Sequence, residues 1–385
     1  MKKLLFLLGS VLLTGAVIPV NAQVAADKAL HLAIQQYKQM MTHVPDSLLP
    51  RTTDNKTGKL VTSGTEWWTS GFYPGTLWYL YEYSKDKTIL KEARKRTTEV
   101  EKEQYNKTTH DLGFMMYCSF GNAYRLTGNP KDKQVLITSA RTLTTRFNPV
   151  VGCIKSWDHG KWKFPVIIDN MMNLELLTWA TKETGDTSFA HIARTHANTT
   201  MKNHFRPDFS SYHVIGYDPA TGAVVARNTA QGFADSSAWA RGQAWGLYGY
   251  TMMFRETKDG AYLEQAKQIA NYIIPHLPAD KIPYWDFDAP DIPNAKRDAS
   301  AGAVMASALL ELSQYTKNQT YFQTAEQILQ TLSSDEYLAK AGTNNNFILK
   351  HSVGHLPANS EVDVPLTYAD YYFVEALLRY KKYSK

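Results

Sequence analysis

The chain has 385 residues, 44% of them hydrophobic and 20% charged, which fits a folded globular protein and excludes a disordered, fibrous or membrane-embedded one. Its formal charge of +6 is scattered along the chain, and no basic run interleaved with aromatics points to nucleic acid. Two cysteines do not make a disulfide scaffold, and no CxxC, His-x-x-x-His or DxDxDG spacing suggests zinc or calcium.

Lys2 and Lys3 precede an apolar stretch from Leu4 to Val20, and Val20-Asn21-Ala22 places small residues at a cleavage position. Residues 1–22 therefore read as a secretory signal peptide. Gly9, Ser10, Thr14, Gly15 and Pro19 interrupt the apolar run too often for a membrane span. The mature chain, residues 23–385, is expected to be one exported domain, soluble in a periplasm-like compartment, with a formal charge of about +4 once Lys2 and Lys3 are lost. No Pro/Gly/Ser-rich linker divides it. Cys118 falls inside an apolar helix where a buried free thiol is the expectation; a bond to Cys153 is the less favoured alternative.

From there the pattern is helical. Apolar residues at helical spacing predict helices over 27–43, 76–83, 87–106, 111–126, 132–147, 169–183, 187–202, 241–256, 260–275, 298–315, 320–333 and 367–382. Only short pieces such as Val224-Val225-Ala226 alternate like a strand. Five of these helices run into nearly the same signal: Ser84-Lys85-Asp86, Thr127-Gly128-Asn129, Thr184-Gly185-Asp186, Thr257-Lys258-Asp259 and Thr316-Lys317-Asn318. A second helix follows each signal, so each is the bend of a helical hairpin. Twelve helices make six hairpins, an all-α ring. If the signal-terminated helices run parallel around it, the polar residues that open them meet at one rim: His110 and Asp111, Asp169, Arg241 and Asp370. Three long connections, 148–166, 205–240 and 277–297, lead into that same rim, and long loops in compact domains tend to carry function.

Asp111 and Asp169 each open an inner helix. Aspartate is a good helix cap, but two equivalent carboxylates on adjacent helices, Asp169 with apolar flanks, also suit acid catalysis, because an apolar shell keeps a carboxyl protonated toward neutral pH. Arg241 and Trp245 lie in Trp239-Ala240-Arg241-Gly242-Gln243-Ala244-Trp245; the arginine fork suits a carboxylate and the indole a sugar ring. His213 and Gln231, in the preceding loop, add hydrogen-bonding capacity. Trp67, Trp68, Trp157, Trp162, Trp239, Trp245 and Trp285 fall in loops or helix starts of this rim, as a carbohydrate cleft would place them.

Together, His110-Asp111-Leu112-Gly113-Phe114, Asp169-Asn170-Met171-Met172, Trp239 to Trp245, Pro283-Tyr284-Trp285-Asp286-Phe287 with Arg297-Asp298-Ala299-Ser300-Ala301, and Asp370-Tyr371-Tyr372-Phe373 resemble the unsaturated glucuronyl hydrolases, glycoside hydrolase family 88, from about Trp67 to Arg379. The resemblance implies an (α/α)6 barrel that removes a Δ4,5-unsaturated glucuronate from lyase-produced glycosaminoglycan oligosaccharides by hydrating its vinyl ether. It implies Asp169 as general acid/base and Asp111 as the second carboxylate, with no metal or other cofactor needed. It places His110 beside them, His213, Gln231, Arg241 and Trp245 around the unsaturated sugar, and Trp68 as a stacking residue. An unsaturated rhamnogalacturonyl hydrolase acting on pectin fragments and a non-catalytic sugar-binding barrel are the alternatives. Lys350 to His355 falls where some members receive a sulfated neighbouring sugar, without a clear match.

Overall fold

The computed structural model describes residues 20–384, so most of the expected signal peptide lies outside the described residues. Twelve helices form two concentric layers. The outer layer is α1 (Val20–Met40), α3 (Lys87–Val100), α5 (Pro130–Thr144), α7 (Thr187–Asn203), α9 (Gly260–His276) and α11 (Gln319–Leu332). The inner layer is α2 (Phe72–Ser84), α4 (π-helical over Gly113–Gly121, then α-helical over Asn122–Thr127), α6 (Asn170–Thr184), α8 (Ala240–Thr257), α10 (Ala299–Thr316) and α12 (Thr367–Tyr383). The inner helices pack in sequence, and α12 closes the ring on both α10 and α2. This is the expected (α/α)6 barrel.

The two layers differ as their sequences require. Outer helices carry one apolar stripe: in α11, Tyr321, Ala325, Ile328 and Leu332 are buried while the intervening glutamines stay polar. Inner helices are buried almost all round; α10 achieves this with small residues, from Ala299 to Ala303 and again at Ala306, Ser307 and Ala308. At one contact the packing excludes any side chain. A Cβ on Gly113 would sit 2.4 Å from Asn173 Cα, so glycine lets α4 lie directly against α6. Asn173 Oδ1 then receives the Phe114 N–H at 2.9 Å.

The five bends share one construction. The Ser or Thr hydroxyl donates to the carbonyl four residues back at 2.6–3.0 Å and accepts the N–H two residues ahead at 3.1–3.4 Å. The next residue, Lys85, Gly128, Gly185, Lys258 or Lys317, takes the left-handed conformation that ends a helix. The third, Asp86, Asn129, Asp186, Asp259 or Asn318, accepts an N–H of the next helix as its N-cap. Each bend therefore joins inner to outer helix with two linking residues, and the inner helices end at one rim and begin at the other.

The rim where they begin is not purely helical: the strand expected at Val224-Val225-Ala226 is present, and other short strands that the sequence pattern did not announce accompany it. The rim carries antiparallel pairs β1 (Leu49–Thr53) with β2 (Leu60–Ser63) and β3 (Phe147–Asn148) with β4 (Cys153–Ile154). A three-stranded sheet joins β5 (Phe164–Ile167), β6 (Val214–Tyr217) and β7 (Val224–Asn228), and β8 (Ser352–His355) pairs with β9 (Ser360–Val364). The helix expected over 87–106 ends at Val100 and continues as a 3-10 turn to Tyr105. Cys118 and Cys153 are buried free thiols. No helix among the described residues is long and apolar enough to cross a membrane.

Candidate active site

Asp169 occupies the N-cap position of α6, yet its side chain makes no capping bond, unlike the Asp and Asn residues that cap α3, α5, α7, α9, α10 and α11. It is buried, and its Oδ2 has no hydrogen-bond partner. Burial raises its pKa to about 7, against the lowering effect of the Arg241 charge; nearby Asp111 raises it further. Such a carboxyl holds a proton near neutral pH and can give it up.

Around it stand three more polar atoms without partners: His213 Nε2, His110 Nε2 and Trp245 Nε1. His213 Nδ1 accepts the backbone N–H groups of Ala230 and Gln231 at 3.1 and 3.2 Å, so its proton sits on Nε2, 3.8 Å from Asp169 Oδ2. Burial pushes the His213 pKa down to about 3, so the ring is a neutral donor with a fixed tautomer. It lies against the Trp239 indole, ring centroids 4.4 Å apart. His110 Nδ1 donates to the Ser156 carbonyl at 2.8 Å, which turns Nε2 toward Asp111 Oδ1 at 3.2 Å. Burial lowers the His110 pKa as well. Asp111 Oδ2 receives the Thr109 hydroxyl at 2.7 Å, while its Oδ1 faces the unprotonated Nε2 of the neutral imidazole and takes no hydrogen from it. Buried polar groups in folded proteins are nearly always paired; three orphan nitrogens grouped around a carboxyl that itself lacks a partner on one oxygen mark a place kept for a ligand.

Arg241 is brought to the site but not in the expected way. Its guanidinium is buried and occupied by protein: Nη1 donates to Asp298 Oδ2 at 3.0 Å and to the Val353 carbonyl at 2.5 Å, Nη2 to the Gly354 carbonyl at 2.6 Å. The fork expected to clamp a carboxylate instead pins β8 over the site, and its charge reaches Asp169 from behind. Gln231 Nε2 donates to the same Gly354 carbonyl at 3.1 Å. Trp245 is also corrected. It is fully buried, packed against Phe114 and Tyr372 at 5.2 and 5.4 Å between centroids, so no indole face is open to a sugar; only its N–H is free. Trp239 and Trp285 are core residues too. Trp68, half-buried on Phe72, Phe114 and Tyr368, keeps the character of a stacking platform. Asp370 is not free: both oxygens are held, by the Ile348 and Leu349 N–H groups at 2.9 Å and the Tyr37 hydroxyl at 3.2 Å.

Sequence reasoning missed Ser156 and the capping role of Asp298. Ser156 orients His110 through its carbonyl and binds Asn170 and the Ile167 N–H through its hydroxyl; nothing in Lys155-Ser156-Trp157 signals this. Asp298 caps α10 with Oδ1 and pairs with Arg241 through Oδ2. Among the described residues, no cluster of His, Cys, Asp or Glu is arranged to hold a metal ion. A cavity of about 750 Å³ opens at the opposite rim, where Glu175, Glu311, Glu375, Arg255 and Arg379 form an ion-pair network. It lacks the catalytic candidates.

A double helical ring with a buried, protonatable carboxyl and a second carboxylate at the inner-helix N-termini is a glycosidase architecture. The model of glycosyl hydrolase family 47 matches residues 209–356, less than half of the chain. The chain is 51% identical to an unsaturated glucuronyl hydrolase of Formosa agariphila over 317 residues, 81% of this chain and 79% of that one. It superimposes on the crystal structure of an unsaturated glucuronyl hydrolase specific for heparin with a TM-score of 0.92 and 54% identity, covering 94% of this chain and 98% of that one. A Streptococcus agalactiae unsaturated glucuronyl hydrolase variant complexed with dGlcA-GalNAc6S aligns with a TM-score of 0.81 and 30% identity, over 94% of this chain and 92% of that one. The chain belongs to the unsaturated glucuronyl hydrolases.

Proposed function

We propose that this protein removes the Δ4,5-unsaturated glucuronate from the non-reducing end of glycosaminoglycan fragments left by eliminative lyases. The observation that carries the reading is the uncapped, protonatable Asp169 amid three unpartnered polar atoms. Protonated Asp169 delivers its proton to C4 of the vinyl ether, and positive charge develops at C5 and the ring oxygen. The Asp111 carboxylate stabilises that charge. Asp169, now ionised, takes a proton from the water that adds at C5. The resulting hemiketal opens and releases the neighbouring sugar, so one water is consumed per bond broken. The neutral His213 Nε2–H and the Trp245 N–H are donors for the sugar's oxygens, and Trp68 offers a partly open ring beneath it.

Heparin-type fragments are the favoured substrates, because the relative that is 54% identical is specific for heparin. A panel of unsaturated heparin, chondroitin and pectin fragments tests this by loss of the enoate's ultraviolet absorbance. Turnover confined to the pectin fragment would overturn the substrate, and no turnover on any would overturn the activity. We further infer export through residues 1–22. The mature N-terminus of secreted protein, determined by sequencing, should be Gln23; a retained Met1 would refute it.

A further inference from the structure

A recess of about 530 Å³ lies on the outer flank of the catalytic rim, lined by Lys107, Arg146, Lys155 and Lys163 with Asp158 as its single acid. Arg146 forms its base. It is nine-tenths buried, its Nε donates to the Lys155 carbonyl at 2.9 Å and its Nη1 to the Lys107 carbonyl at 2.5 Å and to Asp158 at 2.8 Å, while its Nη2 is buried with no acceptor. A buried guanidinium with an unanswered N–H is costly unless something anionic is meant to answer it. Lys107 and Lys163 are exposed beside it, Lys155 is half-buried and shares Asp158 at 2.9 Å, so the recess carries a clear excess of positive charge. Its wall is the segment whose Ser156 carbonyl holds His110, so the recess backs directly onto the candidate active site.

We propose that this recess is a second anion-binding site, taking a sulfate or carboxylate of an acidic oligosaccharide outside the catalytic cleft. The proposal rests on the functional reading above for the identity of the sugar, since fragments of an acidic polysaccharide carry such groups beyond the residue being removed. Arg146 supplies a fixed charge and donor at the base, and the lysines supply mobile cations at the lip.

The test is binding of a saturated heparin-derived decasaccharide, which offers no vinyl ether, to the parent and to the Lys107→Ala/Lys163→Ala double variant. Neither lysine belongs to the catalytic machinery. At low salt the variant should bind at least about fivefold more weakly, and the difference should collapse near about 0.5 M salt, where exposed charges are screened. Its kcat/KM on an unsaturated disaccharide should be unchanged. Equal decasaccharide affinity in the two proteins would overturn the site. So would competition by inorganic sulfate as strong, per sulfate group, as by the decasaccharide, which would make it a free-anion site, or equal competition by a single-stranded oligonucleotide, which would make it an unselective cationic patch. Failure of every unsaturated disaccharide to turn over would sink the enzymatic reading and leave this binding comparison intact.

Discussion

Two aspartates of the barrel interior, Asp169 and Asp370, are both pushed up to about 7 by burial. What separates them is occupancy. Asp370 spends both oxygens on backbone N–H groups and a tyrosine, whereas Asp169 leaves one oxygen without a partner. A free aspartate titrates near 3.8, so Asp169 binds its proton more tightly in the folded state than in the unfolded one. Its contribution to stability therefore declines as pH rises from about 4 to about 7, and the penalty is complete above that. Asp169→Asn removes the penalty along with the proton. Turnover should fall by about 10²–10⁴-fold, while the melting temperature exceeds the parent's at pH 8 and the gap closes toward pH 4. A variant that is equally active, or less stable at pH 8, would return Asp169 to a structural role. Arg241 makes the opposite prediction. Arg241→Lys keeps the charge but cannot reach Asp298, Val353 and Gly354 together, so it should lose roughly 1.5–3 kcal/mol of stability and weaken carboxylate-bearing and neutral ligands alike. Intact stability with loss confined to the carboxylate ligand would mean that the fork is released to substrate.

At the scale of elements, what the sequence disclosed was what is local. The bends were readable because the bonds that recur in all five span four residues or fewer, and the same side-chain chemistry returns each time. The strands were not, because β5 and β6 are buried on both faces and show no alternation; only β7, with its alternating burial, announced a period of two. The candidate site divides the same way. Asp169, Asp111, His110 and His213 could be named by residue type and position. The true partners of Arg241 and Trp245 come from Asp298, Val353, Phe114 and Tyr372, far away in the chain. The bends also supply a stability test. Lys317 holds φ 57 with a side chain that costs about 1–2 kcal/mol in that region, and glycine would give back about 0.5–1 kcal/mol in unfolded-state entropy. Lys317→Gly should therefore stabilise by about 0.5–1 kcal/mol, seen as a raised urea midpoint at constant slope. Lys258 is a poorer choice, since its ammonium sits 5.5 and 5.4 Å from the Phe254 and Tyr315 rings.

Over the whole molecule, ring closure depends on polar ties as well as on apolar packing. Glu375 of α12 accepts hydroxyls from Tyr79 of α2 at 2.8 Å, Tyr248 of α8 at 3.0 Å and Ser307 of α10 at 2.5 Å, and pairs with Arg379. One carboxylate thus links four inner helices, including the two that flank the closing seam. Glu375→Ala leaves three buried hydroxyls and a buried guanidinium short of an acceptor, and should cost about 3–5 kcal/mol. Thermal unfolding would show it as a large drop in midpoint; a change within a degree or two would mean that packing alone closes the ring.

The two-residue bends have a consequence for how such a chain can change over time. An inserted or deleted residue there would break the hydroxyl, left-handed and cap positions at once, and would turn the following helix by about 100° about its axis, so its apolar stripe would face solvent. Length changes at that edge are lethal to the barrel. The opposite edge, built from hairpins and long connections, can lengthen at a cost of only about 0.6 kcal/mol per doubling. Descendants of this chain can therefore remodel the entrance to the sugar pocket without renegotiating the ring beneath it.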